Sequence, residues 1–357
     1  FFFHPHPAIP DAQESRGLGD VYKRQAMQAV VVANNNTSVG SESMYTNTGG
    51  AQNTAVGKAA LYTNSTGSNN TAVGYDALKD NTTGSENTAV GRSALDANTT
   101  GTENTVVGYN ALSDSTTGSH NTAVGHDALE NVSTGSYNEG FGRDAGRNIT
   151  TGSNNTCIGH NANDADNTGG VVAMGSFCLS ANQADYNTAV GYYAARLNTT
   201  GTHNTAVGRQ SLENNTTGTH NTAVGTLAMV STTTATGNTA VGSHTLYSNS
   251  TGNGNTAVGD YALYDNTTGI ANVAVGGWDG TTVSALRENT TGSNNVAIGV
   301  GANESSETAN DNTAIGYKAL FANTASENVG VGNSACLLYT SDAADEGLGV
   351  DLGGRRI

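Results

Sequence analysis

The sequence predicts an all-β fold, a parallel β-solenoid (β-roll) of about 18 tandem turns of 17 residues each. Three observations carry that expectation. The pentapeptide N-T-A-V-G recurs, usually at a step of 17 residues, from Asn36 to Asn328. A glycine closes every copy of it, from Gly40 to Gly332. A second turn signal, N-T-T-G, falls between successive copies, as in Asn81-Thr82-Thr83-Gly84. Tandem units of this size bury their apolar face only by stacking on one another. The composition agrees: 47 of 357 residues are Gly, 6% are aromatic and one is Trp, too few large side chains for several globular cores.

The consensus reads N-T-A-V-G-x-x-A-L-x-x-N-T-T-G-x-x, numbered here as positions 1 to 17. Position 1 is Asn in every copy but the one starting at Val171. Asn53, Asn70, Asn87, Asn104 and Asn121 are expected to form a hydrogen-bonded ladder along the stack. Position 5 is invariant glycine, so Gly57, Gly74, Gly91, Gly108 and Gly125 are expected to occupy a turn that needs positive φ or close backbone approach. Asn and Gly at positions 12 and 15 mark the second turn. Two turns leave two short extended stretches, T-A-V and x-A-L. Side chains alternate along a strand, so positions 2 and 4 share one face and position 3 takes the other. The larger apolar residues at positions 4 and 9, such as Val56, Val73, Leu61 and Leu78, are assigned to the coil interior. The small residue at position 3 is then outward, where another backbone would pack on it.

The two ends differ from the middle. Residues 15–25 and 336–357 resemble translated sequencing-library adapter, and residues 1–14 share no feature with the repeats. The expected organisation is therefore 1–25 non-native or disordered, 26–335 solenoid, and 336–357 an adapter-like, disordered artefact. Net charge is −16 with the acids scattered, which disfavours nucleic-acid phosphate and anionic lipid as partners. No stretch is long and apolar enough to read as a membrane span. Cys157 and Cys178 fall at positions where other repeats carry Ala, which makes them small buried hydrophobes; their spacing, with Cys336, matches no zinc site.

Chemistry-bearing residues mostly repeat with the turn. Ser, His and Asp recur at solvent-facing positions, and no unique, supported constellation stands out, so the chain is expected not to be an enzyme and to carry no cofactor. Glu86 and Glu103 stack at position 17 but belong to the repeat pattern. His203 and His220 occupy position 17 of adjacent turns; two ligands without a third do not define a metal site. The turns lack the regular Asp of calcium-binding β-rolls, with Asp80-Asn81 and Asp265-Asn266 only sporadic. Asn64-Ser65-Thr66 and Asn98-Thr99-Thr100 match glycosylation acceptors, but turn chemistry explains them equally. One feature breaks the rhythm: six extra residues between Asn272 and Asn295, in the stretch containing Trp278. Insertions in solenoids map to loops, often on a binding face. Trp278 and Asp279 are therefore the expected partner contact. Tyr137, Phe141, Phe177 and Tyr186, in and around the irregular stretch 138–186, mark a second place where a partner could bind.

The N-T-A-V-G unit with its downstream A-L resembles the head repeats of trimeric autotransporter adhesins, and is similar to repeats of bacteriophage tail fibres. The resemblance covers about residues 34–335. It implies a left-handed β-roll in a homotrimer, displayed on a cell surface or virion, and meeting a host-surface protein or glycan. The repeat here is longer than the adhesin unit, and a coiled-coil stalk, membrane-anchoring barrel and tail-fibre chaperone are not present in the sequence. The leading expectation is an extracellular structural or adhesive fibre segment; a tail-fibre shaft or receptor-binding fibre is the alternative. An ice-binding solenoid ranks below both, because the two Thr of N-T-T-G are adjacent and point to opposite sides.

Overall fold

The computed structural model describes residues 34–166, 169–281 and 283–337. Residues 1–33 and 338–357, which contain most of the adapter-like stretches, lie outside the described residues. The chain divides into two units, one ending at Asn138 and the other beginning at Glu139. The first contains six strands, β1 (Thr37–Val39) to β6 (Thr122–Val124), and the second contains twelve, β7 (Glu139–Phe141) to β18 (Val329–Val331). Each strand is three residues long and each turn supplies one. Within each unit consecutive strands pair in parallel with no slip. Thr54 lies on Thr71, Ala55 on Ala72 and Val56 on Val73; the second unit repeats this at Thr188 on Thr205 and Val190 on Val207. Both units are β-solenoids, as the repeat predicts.

The second extended stretch, x-A-L, is not a strand. Positions 6 to 11 wind as a corner in which positions 7 and 9 both take positive φ: Ala59 at 54° and Leu61 at 52°, then Asp76 at 55° and Leu78 at 51°. Position 17 does the same, as at Asn69 (60°) and Glu86 (61°). Left-handed backbone at a non-glycine residue costs on the order of 1–3 kcal/mol and persists only where the surroundings dictate it. Here they do. Leu61 N–H donates to the Ala77 carbonyl at 3.0 Å and Thr63 N–H to Lys79 at 2.9 Å; Ala59 N–H reaches back to Ser41 at 2.9 Å. Each reversal of φ turns a peptide to face the neighbouring coil, so the corners are laddered like the strands.

The interior also departs from the expectation. Position 3 points inward: Ala55, Ala72, Ala89 and Val106 are fully buried, as are Ala60 and Leu61 at positions 8 and 9. Position 4 points outward, with Val107 and Ile298 about two-fifths exposed (39% and 40%). Leu at position 9 is interior as assigned, whereas Val at position 4 is not. The coil is too narrow for both. At Gly330, in position 3, an added Cβ would lie 2.8 Å from Cγ of Leu320, the position-9 residue one turn earlier. With Leu filling one wall, the facing strand usually offers a methyl group or less. The small residue reflects inward crowding, so sister-chain packing on an outward Ala face has no residues to act through. Cys157 and Cys178 are buried, and burial pushes both thiols up to about 12, so each stays protonated as a small apolar group.

Candidate functional site

The predicted ladder residues are in place. Asn53, Asn70, Asn87, Asn104 and Asn121 are all fully buried. The backbone N–H of each donates to Oδ1 of the Asn one turn earlier at 2.8–3.0 Å. Each Nδ2 donates to the position-15 carbonyl of its own turn, as Asn70 does to Gly84 at 2.9 Å. A second ladder, not foreseen, runs through position 12. Asn81 Nδ2 donates to Asn64 Oδ1 at 2.8 Å and to the Gly84 carbonyl at 2.9 Å. Asn64 and Asn98 are therefore buried inside the stack, closed to glycosylation in the folded chain.

The two glycines serve different needs. Gly57, Gly74, Gly91, Gly108 and Gly125 all have φ between 138° and 150°, a region that only glycine adopts readily. Position 15 has no such angle. A Cβ on Gly84 would instead lie 2.3 Å from the Gly101 carbonyl oxygen and 2.4 Å from Asn81 Oδ1. Where a 17-residue turn carries Ala at position 15, as at Ala235 and Ala309, position 12 is Thr232 or Ser306 rather than Asn.

Trp278 occupies position 7 of its turn and the insertion follows it directly. Trp278 N–H still donates to the Asp260 carbonyl at 3.1 Å, and Ala285 N–H to Gly276 at 3.0 Å, so these two hydrogen bonds persist on either side of the loop, although Trp278 lacks the positive φ usual at position 7. Asp279 caps the loop: its Oδ1 accepts from the N–H and hydroxyl of Thr281 at 2.9 and 3.0 Å. Trp278 is 55% exposed. Beside it opens a cavity of about 320 Å³ lined by Tyr261, Trp278, Val283, Ser284 and Arg287. The two rings stand nearly perpendicular, 83° apart with centroids 6.5 Å apart. Ser284 hydroxyl is held by the Asp260 carbonyl at 2.5 Å, and Asp260 Oδ1 is buried without a hydrogen-bond partner.

Two aromatic columns support this corner. His244 stacks on Tyr261 at 4.7 Å along position 7, and Tyr247 on Tyr264 at 4.9 Å along position 10. Arg287 continues the second column, its guanidinium 5.7 Å from the Tyr264 ring centre. Burial pushes the Asp265 carboxyl up while Arg287 draws it back. Trp278 was legible as the distinctive residue. Tyr261 and Arg287 were not singled out, although aromatics recurring at positions 7 and 10 of adjacent turns were there to be read.

The other sequence candidates are not assembled into one site. Tyr137 stacks on His120 at 4.7 Å, Phe177 meets His160 edge-on at 4.9 Å, Tyr186 lies against His203 at 5.3 Å, and Phe141 points outward from β7. His203 and His220 stack face to face at 4.9 Å with planes 1° apart. The lone pairs of parallel imidazoles lie in parallel planes, so the two do not converge on one ion. Among the described residues no helix is long and apolar enough to cross a membrane. No family model, curated protein or solved structure matches the chain.

Proposed function

We propose that the chain is an extracellular structural and adhesive fibre segment, similar in role to a cell-surface adhesin head. Its coils serve as a rigid scaffold and the corner at Trp278 is its contact with a surface glycan. One observation carries the reading. The single six-residue interruption of the repeat builds an open pocket around the only Trp, while the coil beneath keeps its hydrogen bonds. An exposed indole face and a Tyr edge suit the C–H face of a sugar ring. The Arg287 guanidinium offers a polar contact, and the volume is at the lower end for small-molecule sites. The adhesin resemblance supports the setting.

The absence of any other Trp provides the test. Trp278 fluorescence is titrated with a panel of methyl hexopyranosides. A saturable change with Kd near 1 mM, worth ~4 kcal/mol, is expected for one of them, weakened by Arg287→Ala. In parallel, Trp278→Ala protein is expected to lose binding to glycan-coated surfaces. Unchanged fluorescence across the panel, together with full surface binding by Trp278→Ala, refutes the reading.

A further inference from the structure

The outward face of the strands is a second surface, separate from the Trp278 corner. Position 2 and position 4 side chains both leave the coil on this side. In the first unit six consecutive turns present Thr37, Thr54, Thr71, Thr88, Thr105 and Thr122 beside Val39, Val56, Val73, Val90, Val107 and Val124. In the second unit five consecutive turns, from Thr188–Val190 to Thr256–Val258, do the same. The strands pair in register, so each array is two columns, one of Thr and one of Val. Neighbouring turns are ~4.8 Å apart and the two columns ~6.6 Å apart, from the geometry of a parallel sheet.

Three properties of these arrays point to one kind of ligand. Their hydroxyls are free. The position-13 hydroxyls are used within the coil, as where Thr82 Oγ1 donates to the Thr99 carbonyl at 2.8 Å. The position-2 hydroxyls of Thr54, Thr71, Thr88, Thr105 and Thr122, by contrast, have no partner among the described residues. The arrays carry no charge, although the chain carries a net −16. Their side chains are β-branched throughout, hence fixed at χ1. The result is a regular lattice of hydroxyl and methyl groups with fixed side-chain directions. A protein partner is poorly served by it, since protein hot spots favour Trp, Tyr and Arg while Thr and Val are under-represented.

We infer that the outward Thr-x-Val arrays bind the surface of ice. The hydroxyls anchor water at a fixed repeat and the methyl groups order the layer between them without drawing a charged hydration shell. The repeat along each column falls near the second-neighbour oxygen spacing of ice. The Thr of N-T-T-G, which argued against such a role, are not the ones concerned. The inference does not depend on the Trp278 pocket.

The test uses the full chain. Ice growth is watched in a nanolitre osmometer, reading thermal hysteresis and crystal shape, and light scattering gives the oligomeric state. Wild-type protein is expected to show hysteresis that rises with concentration, and faceted crystals. A Thr88→Lys, Thr205→Lys double variant is expected to lose both. Its fold is expected to survive, because Glu139 naturally places a charge at position 2. Thr100→Lys, at exposed position 14 on another face, is the control and retains activity. No hysteresis in the wild type, or hysteresis untouched by the double variant, overturns the inference. So does a stable oligomer that dissociates in the double variant, which would assign the face to a second copy of the chain.

Discussion

Replacing Gly84 by Ala tests whether the coil interior is governed by the asparagine ladders. Gly84 has no positive φ, so a propensity view expects a neutral or slightly stabilising change. The structure gives the opposite sign. The new methyl would meet the Gly101 carbonyl oxygen at 2.3 Å, Asn81 Oδ1 at 2.4 Å and Asn98 Nδ2 at 2.8 Å. Overpacking of this kind costs about 1–3 kcal/mol. Asn81→Thr alone loses two donated bonds, to Asn64 Oδ1 and Gly84 O, and the bond accepted from Asn98 Nδ2. At roughly 1 kcal/mol for each buried bond this costs about 3 kcal/mol. Independent effects would sum to about 4–6 kcal/mol. The double variant Asn81→Thr, Gly84→Ala reproduces the pair found at Thr232 and Ala235, and removes Asn81 Oδ1, one of the two oxygens that the methyl would strike. It is expected to fall about 1–2 kcal/mol short of the sum, the range measured for side chains in contact. Urea unfolding followed by circular dichroism, with hydrogen exchange of residues 70–86 to detect local opening, gives the four corners of the cycle. Strict additivity, or a neutral Gly84→Ala in the presence of Asn81, refutes the reasoning.

Two further outcomes follow from burial. Ala72→Leu is expected to destabilise by about 1–3 kcal/mol because position 3 faces the filled interior, while Val73→Ser on the outer face changes stability by less than about 1 kcal/mol; thermal melts of the pair decide, and the reverse order would restore the original assignment of the strand faces. Burial, with Asp80 next, pushes the Asp96 carboxyl from 3.8 up to about 6. The folded chain therefore holds a proton that the unfolded chain has released, and this contribution is fully present below pH 4, declines as pH rises toward 6 and is then absent. Asp96→Asn should flatten that part of the pH–stability curve, and a variant with the wild-type slope between pH 4 and 6 would exclude Asp96 as its source.

The fold was legible because every coil repeats its punctuation. Invariant glycine at position 5 and Asn at position 1 specify the pitch and the ladder without reference to anything distant. The faces of the strand were misread for a physical reason: hydrophobic size is an unreliable guide to burial when the interior is only two side chains wide. Ala72 is buried and Val73 is not, since the opposite wall is already taken by Leu. The corner was unreadable for a different reason. Asp76 and Asn110 at position 7 hint at left-handed backbone, but Leu61 and Leu78 at position 9 carry no such signal. Their conformation is imposed by hydrogen bonds to the coil above, a contact 16 residues distant in sequence. At the Trp278 corner the insertion announced itself, whereas the pocket depended on side chains from the preceding turn and from the far end of the loop.

Because each coil bonds chiefly to an identical neighbour, no turn has a required address along the chain. Shortened turns show how little the rule demands: Asn182 reaches the Ala184 carbonyl at 2.7 Å with one residue fewer between them. A duplication or deletion of one whole unit in the gene would leave every remaining coil with the neighbours it needs. Reach is thereby decoupled from foldability and becomes a quantity that recombination can adjust in steps of one coil, ~4.8 Å. Selection can then tune how many coils flank a corner such as the one at Trp278 without having to solve the folding problem again.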